Sequence, residues 1–272
     1  VTYPAPPSSI NWAGGISTNW SVAGNWGSCY MPDCSIDAVA VSGPSNQPFV
    51  ITNQTVKNIT INAGATLTVN PNVTLSVCGN FTNNGNFRAL AGSTIKFIGA
   101  AAQVITGNFT GLNAFANLTM QKPSSTLTIQ NNIDINEDDS LITGQFNANA
   151  KYIKIKKNLY NANGTLTHVS PAAGSTYEFN GSTPQTFTNN GSDIDFSNVT
   201  MNQSVTSSLT LAGGPFNNLN VQGILTLTRG KIITGAREVI VKNPANASVI
   251  LHNINSYVEG NLRRFLNTNA TG

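Results

Sequence analysis

The chain has 272 residues, 40% hydrophobic and only 9% charged, with a formal net charge of +3. That apolar fraction can build a continuous core and excludes a disordered chain, while a charge content far below the roughly 25% of ordinary soluble domains leaves solubility to Asn, Ser and Thr. The 14 basic residues are diluted along the length, which argues against a nucleic-acid partner, and no apolar run approaches the ~18 residues of a membrane-spanning helix.

Residues 1–45 differ in character from the rest of the chain. All three tryptophans lie here, each after an asparagine: Asn11-Trp12, Asn19-Trp20 and Asn25-Trp26. Three large rings within fifteen residues predict a plug over the open end of a stacked core, with Trp12, Trp20 and Trp26 as its anchors. The competing reading of the same rings is a sugar-stacking platform. Cys29 and Cys34 lie in a loop-like stretch with Gly27 and Pro32, and their closeness predicts a local disulfide, leaving Cys78 as a buried thiol. A disulfide points to an oxidising compartment.

From about residue 46 a period of two takes over. Ile59/Ile61, Leu67/Val69 and Leu75/Val77 are inward pairs eight residues apart, with Thr60, Thr68 and Ser76 facing outward. The series continues through Ile95/Phe97, Leu118/Met120, Leu127/Ile129, Ile133/Ile135, Ile153/Ile155, Tyr177/Phe179, Leu209/Leu211, Leu219/Val221, Leu225/Leu227 and Val239/Val241. Strands this short, with few two-residue hairpin turns, predict an all-β fold: a right-handed parallel β-helix (β-solenoid) over 46–272, with 1–45 as its cap. No amphipathic helix is expected.

Part of this region is written twice. Gly92-Ser93-Thr94-Ile95-Lys96-Phe97-Ile98-Gly99, then Gln103, returns as Gly174-Ser175-Thr176-Tyr177-Glu178-Phe179-Asn180-Gly181, then Gln185. Phe115-Ala116-Asn117-Leu118-Thr119-Met120 returns as Phe196-Ser197-Asn198-Val199-Thr200-Met201. Both shifts are about 80 residues, which makes two copies, about 75–155 and 153–230, each several solenoid coils long. Beyond Phe265 the sequence dissolves into polar residues, an uncapped finish that predicts a natural chain continuing past 272.

Chemistry-bearing residues are sparse. The densest acidic run is Glu137-Asp138-Asp139 with Asp134 just upstream, and Asp193 and Asp195 form a second pair. A solvated loop is the plain reading of the first group. A Ca²⁺ site built from Asp134, Glu137, Asp138 and Asp139 is its sharper one, and no other metal or cofactor is expected. His168 and His252 read as surface or turn residues. Lys151, Lys154, Lys156 and Lys157 read as a solvated strand. The Asn-x-Ser/Thr triplets at Asn53, Asn80, Asn108, Asn117, Asn198 and Asn246 read first as turn and ladder residues, and then as glycosylation acceptors. No nucleophile and base stand together, so no catalytic residue is assigned and the chain is expected not to be an enzyme.

Trp12-Ala13-Gly14-Gly15-Ile16-Ser17-Thr18-Asn19-Trp20 with Asn25-Trp26, the passage Val56 to Val69, and Gly260-Asn261-Leu262-Arg263-Arg264 together resemble large secreted and cell-surface β-helix repeat proteins of Bacteroidota. That resemblance implies a right-handed β-helix at the cell surface, type IX secretion and an adhesin-like role, and it carries no catalytic residues. The C-terminal sorting region of that group is missing from the sequence. The expected function is therefore an extracellular structural or adhesive module, assembling head-to-tail into filaments or matrix, with copies of itself, neighbouring modules or glycans as partners. The alternative is a polysaccharide-binding or polysaccharide-degrading β-helix.

Overall fold

The computed structural model describes residues 5–167, 174–191, 193–214 and 218–266. The chain is nearly all β, its short parallel strands stacked as the turns of a β-solenoid, about 10 turns in all. Two compact units divide it, Val1–Asp134 and Ile135–Gly272.

In the first unit the rungs begin inside the Trp-rich segment. Ser9–Asn11 pairs in parallel with Asp37–Ala40, which pairs with Ile59–Ile61, which pairs with Phe81–Asn83. A second face stacks Gln54–Val56, Thr74–Val77 and Thr94–Phe97, and then the start of Asn117–Ile129. A third stacks Phe49–Val50, Thr66–Val69 and Asn86–Ala89. Register fixes the core: Leu75, Ile95 and Leu118 lie one above another, each at most 1% exposed. Phe81, Phe87, Phe109 and Phe115 fill the interior as one aromatic cluster, with Phe109 and Phe115 stacked at 4.7 Å.

The three tryptophans are buried together against the first rungs. Trp12, Trp20 and Trp26 are each 1% exposed, so no indole face is left for a sugar. Trp26 meets Trp12 and Trp20 edge-on at 4.9 and 4.7 Å. The Trp12 and Trp20 amides donate to the carbonyls of Val39 and Phe49 on the first rungs. Asn25, fully buried, ties the segment together: its Oδ1 accepts from the amides of Ile16 and Ser17, and its Nδ2 donates to Ser17 Oγ and the Asn19 carbonyl.

In the second unit, Tyr152–Ile155, Thr176–Phe179, Asn198–Asn202, Leu225–Arg229 and Val249–Ile250 stack in parallel as one flat face. Leu159–Asn161, Gln185–Asn189, Ser208–Gly213 and Lys231–Val241 stack as another. All the inward pairs anticipated from the alternation are buried.

The repeat is structural. Thr94–Phe97 pairs with Asn117–Met120 as Thr176–Phe179 pairs with Asn198–Met201, residue for residue. The glycines of the repeat sit where a neighbouring coil passes close: a Cβ on Gly99 would overlap the Cys78 carbonyl, and one on Gly181 would come within 2.5 Å of the Lys156 carbonyl. The glutamine four residues on closes each corner. Gln103 Oε1 accepts from the Gly99 amide and its Nε2 donates to Val77 O and Gly79 O; Gln185 does the same with Gly181, Ile155 and Lys157.

Asparagine abundance has a mechanical cause. Asn58, Asn80, Asn158 and Asn198 each present Oδ1 to a backbone amide one coil further along, those of Asn80, Val104, Thr186 and Ile224. Asn131 reaches the other way, back to the amide of Gly107. Corners leave amides that no strand ladder reaches, and a short carboxamide satisfies them without charge.

The expected Cys29–Cys34 bridge does not form. Cys34 pairs with Cys78, 44 residues away, with Cα atoms 5.5 Å apart, and Cys29 is an exposed free thiol. The reason is the stacking. Cys34 and Cys78 precede strands Asp37–Ala40 and Phe81–Asn83, which lie over the same face through Ile59–Ile61, so the winding gathers what the sequence separates.

Candidate functional site

The acidic residues singled out in the sequence go separate ways. Asp134, in the first unit, accepts from the Gly111 amide at 2.8 Å. In the second unit, Glu137 pairs with Lys157 at 3.4 Å, and Asp138 accepts from both the amide and the side-chain nitrogen of Asn158. Asp139 points the other way, as alternate residues of a strand must. It is 1% exposed, its Oδ2 lacks a hydrogen-bond partner, and burial pushes its carboxyl up to about 7. No three His, Cys, Asp or Glu residues converge on a metal-sized site among the described residues. The expected calcium loop is therefore spent on backbone bracing, one surface ion pair and one core carboxyl. Asp195 bridges Lys242 and Gln222, Asp193 is exposed, His252 is exposed, and His168 lies outside the described residues.

One cluster of polar side chains does converge, on the outward face of the flat sheet in the second unit. Register puts Lys154, Glu178, Thr200 and Thr226 in one row, with Tyr152 and Thr176 before it and Asn202 and Arg229 after it. Tyr152 reaches diagonally across the rungs, bonding Glu178 and Thr200, and burial together with the Glu178 hydrogen bond raises its phenol above the ordinary value. Asn202 Nδ2 donates to Glu178 Oε1 at 2.9 Å, and Arg229 Nε and Nη2 both donate to Asn202 Oδ1, at 3.2 and 3.1 Å. Glu178 is thereby left only 6% exposed although it sits on an outer face. Lys154 stands over the Tyr152 ring, its Nζ 5.9 Å from the centroid, a cation–π arrangement.

Sequence reasoning placed Lys154 outward but missed Glu178, Tyr152 and Arg229 as its neighbours. Coils of unequal length hide the row. The repeat held a signal, because Glu178 occupies the position of Lys96 in the first copy, a reversal of charge inside an otherwise matching segment.

A domain family of unknown function, DUF8693, matches residues 11–95, which covers the three tryptophans and the first coils. No curated protein and no solved structure matches the chain.

Proposed function

We propose that this chain is a non-enzymatic, extracellular structural module, a β-solenoid segment of a bacterial surface protein of the adhesin-like type exported by type IX secretion. The observation that carries the reading is the inward ladder of each unit: aliphatic and aromatic residues stack rung on rung while the corners are closed by neutral carboxamides. Such a wall holds its backbone groups in ladders and resists local opening. The Cys34–Cys78 disulfide is compatible with an oxidising compartment, and no helix among the described residues is long and apolar enough to cross a membrane.

Head-to-tail assembly belongs to the same proposal. Among the described residues, Ser9–Asn11 and Val258–Arg264 each pair with one strand only, and Leu262, Phe265 and Leu266 are exposed beside the latter. Unpaired strand edges recruit strands. Immunogold labelling of intact cells of the source bacterium, with electron microscopy of the concentrated purified chain, tests both parts. Surface label and concentration-dependent filaments are expected. Label confined to the cell interior overturns the location, and a strictly monomeric species at high concentration overturns the assembly.

A further inference from the structure

We propose that the outward face of the flat sheet in the second unit binds an acidic polysaccharide, with Lys154 and Arg229 as anion contacts and Tyr152 between them as the ring against which a sugar lies. This adds a ligand to the structural role and does not depend on it.

The charge balance of the face selects the sign of the ligand. Lys154 and Arg229 present cationic ends outward. Glu178, on the same rows, is covered by Tyr152 and Asn202 and is 6% exposed, so its charge is held behind the cations. Arg229 uses Nε–H and one Nη2–H on Asn202, which fixes the guanidinium plane and leaves three of its five donors for a carboxylate or sulfate.

Spacing selects a polymer over a small anion. Lys154 lies on the first of four successive rungs and Arg229 on the fourth. At about 4.8 Å per rung their backbones stand roughly 14 Å apart, a span that suits successive acidic groups along one polymer. A chain with repeated acidic sugars can touch both. Thr226, half-buried on the same rung as Arg229, adds a neutral hydroxyl that suits sugar hydroxyls.

The aromatic content selects a glycan over a nucleic acid. Single-stranded nucleic acid needs a series of stacking rings in a positive groove. Here a single ring, held by two side-chain hydrogen bonds, stands on the face.

The test is binding of the intact chain to polygalacturonate and to dextran sulfate, with neutral dextran and a single-stranded oligonucleotide as comparators, measured by biolayer interferometry at low salt. The two acidic glycans should bind, and Lys154→Glu with Arg229→Glu together should weaken binding at least about tenfold while circular dichroism shows the fold retained. Tyr152→Ala should weaken it several-fold, whereas Tyr152→Phe, which keeps the ring but loses the two bonds that hold it, should fall between Tyr152→Ala and the parent. Lys57→Glu, a single charge reversal in the first unit, should change nothing. Equal binding of dextran, equal weakening by Lys57→Glu, or oligonucleotide binding as tight as that of the glycans would each overturn the proposal. None of these outcomes bears on where the protein resides, which immunogold labelling reads separately.

Discussion

The two copies of the repeat solve the same corner with different chemistry. In the first, Lys122 is fully buried, and its Nζ donates to Gly99 O, Ala101 O and Gln103 Oε1 at 2.6, 2.8 and 2.6 Å. In the second, the matching position is Gln203, also fully buried, whose Nε2 donates to Gln185 Oε1 at 2.7 Å. The backbone corner is the same, so the corner needs a donor and does not need a charge. Lys122 keeps its place because each of its three protons has an acceptor, even though burial pushes the ammonium down to about 8. The core positions diverge in the opposite sense. Ile95 in the first copy becomes Tyr177 in the second, fully buried with a hydroxyl that finds no partner; burial raises its phenol, and the nearby Asp139 carboxyl raises it further. The first unit hides a cation that is fully satisfied; the second hides an acid that is not.

Breaking the first corner should have the largest effect. Lys122→Met fills the volume but removes three hydrogen bonds, leaving buried acceptors whose loss costs about 1–3 kcal/mol each when unrelieved. We expect a loss of about 4 kcal/mol in urea unfolding, toward the lower end of that sum. Because Trp12, Trp20 and Trp26 all lie in the first unit, tryptophan fluorescence reports it directly. A midpoint unchanged from the parent would show that the corner carbonyls have found water.

The core acid should produce the next largest effect, through pH. The Asp139 carboxyl titrates near 7 when folded, chiefly because of burial, against about 3.8 in a free chain. Between those values the folded protein holds a proton that the unfolded chain has released. Stability is therefore fully present below about pH 4, falls as pH rises through 7, and is flat above. At about 1.4 kcal/mol per pKa unit the span has a ceiling of about 4.5 kcal/mol, reduced to the extent that the site relaxes or admits water when the carboxyl ionises. Asp139→Asn should flatten this slope and be more stable than the parent at pH 8. Amide hydrogen exchange in Tyr152–Ile155 and Thr176–Phe179 reads the second unit. A slope that survives the substitution would assign the titration elsewhere.

The exchange of chemistry between the corners sharpens the comparison at lower cost. Lys122→Gln gives the first corner the solution found in the second, and should cost about 1 kcal/mol, the net worth of a hydrogen bond, well under the loss for Lys122→Met. A loss equal to that of Lys122→Met would mean that the charge itself is required.

How much of the molecule was legible in the sequence depends on which interactions are local. The inward ladders are written in alternation, and the burial of the three tryptophans is written in their clustering. The stacking of Gly99 over Cys78 and of Lys122 against Gln103 depends on coil length, which varies. Cys34–Cys78 was missed for that reason: sequence proximity favoured Cys29, while winding favoured the same corner two rungs on. Glu178, Tyr152 and Arg229 lie on three coils and meet only through register. The repeat sets Lys96 against Glu178 and Ile95 against Tyr177, so the difference in chemistry was present in the sequence but was not read from it. It could not say what stood beside them.

Tyr177 gives the smallest and most discriminating prediction. Its ring packs against Phe196 at 5.0 Å, edge to face, so the hydrophobic contribution survives Tyr177→Phe. The hydroxyl is buried without a partner, so its removal breaks no hydrogen bond and relieves a desolvated group. We expect Tyr177→Phe to leave stability unchanged or to raise it by less than about 1 kcal/mol at pH 8. Neither the Tyr177 hydroxyl nor Asp139 Oδ2 has a hydrogen-bond partner, so the same substitution should have the same small effect at pH 5, where Asp139 is protonated. An effect that differs between the two pH values would show that the acid and the phenol are coupled; equal effects mean that the second unit carries each as a separate defect.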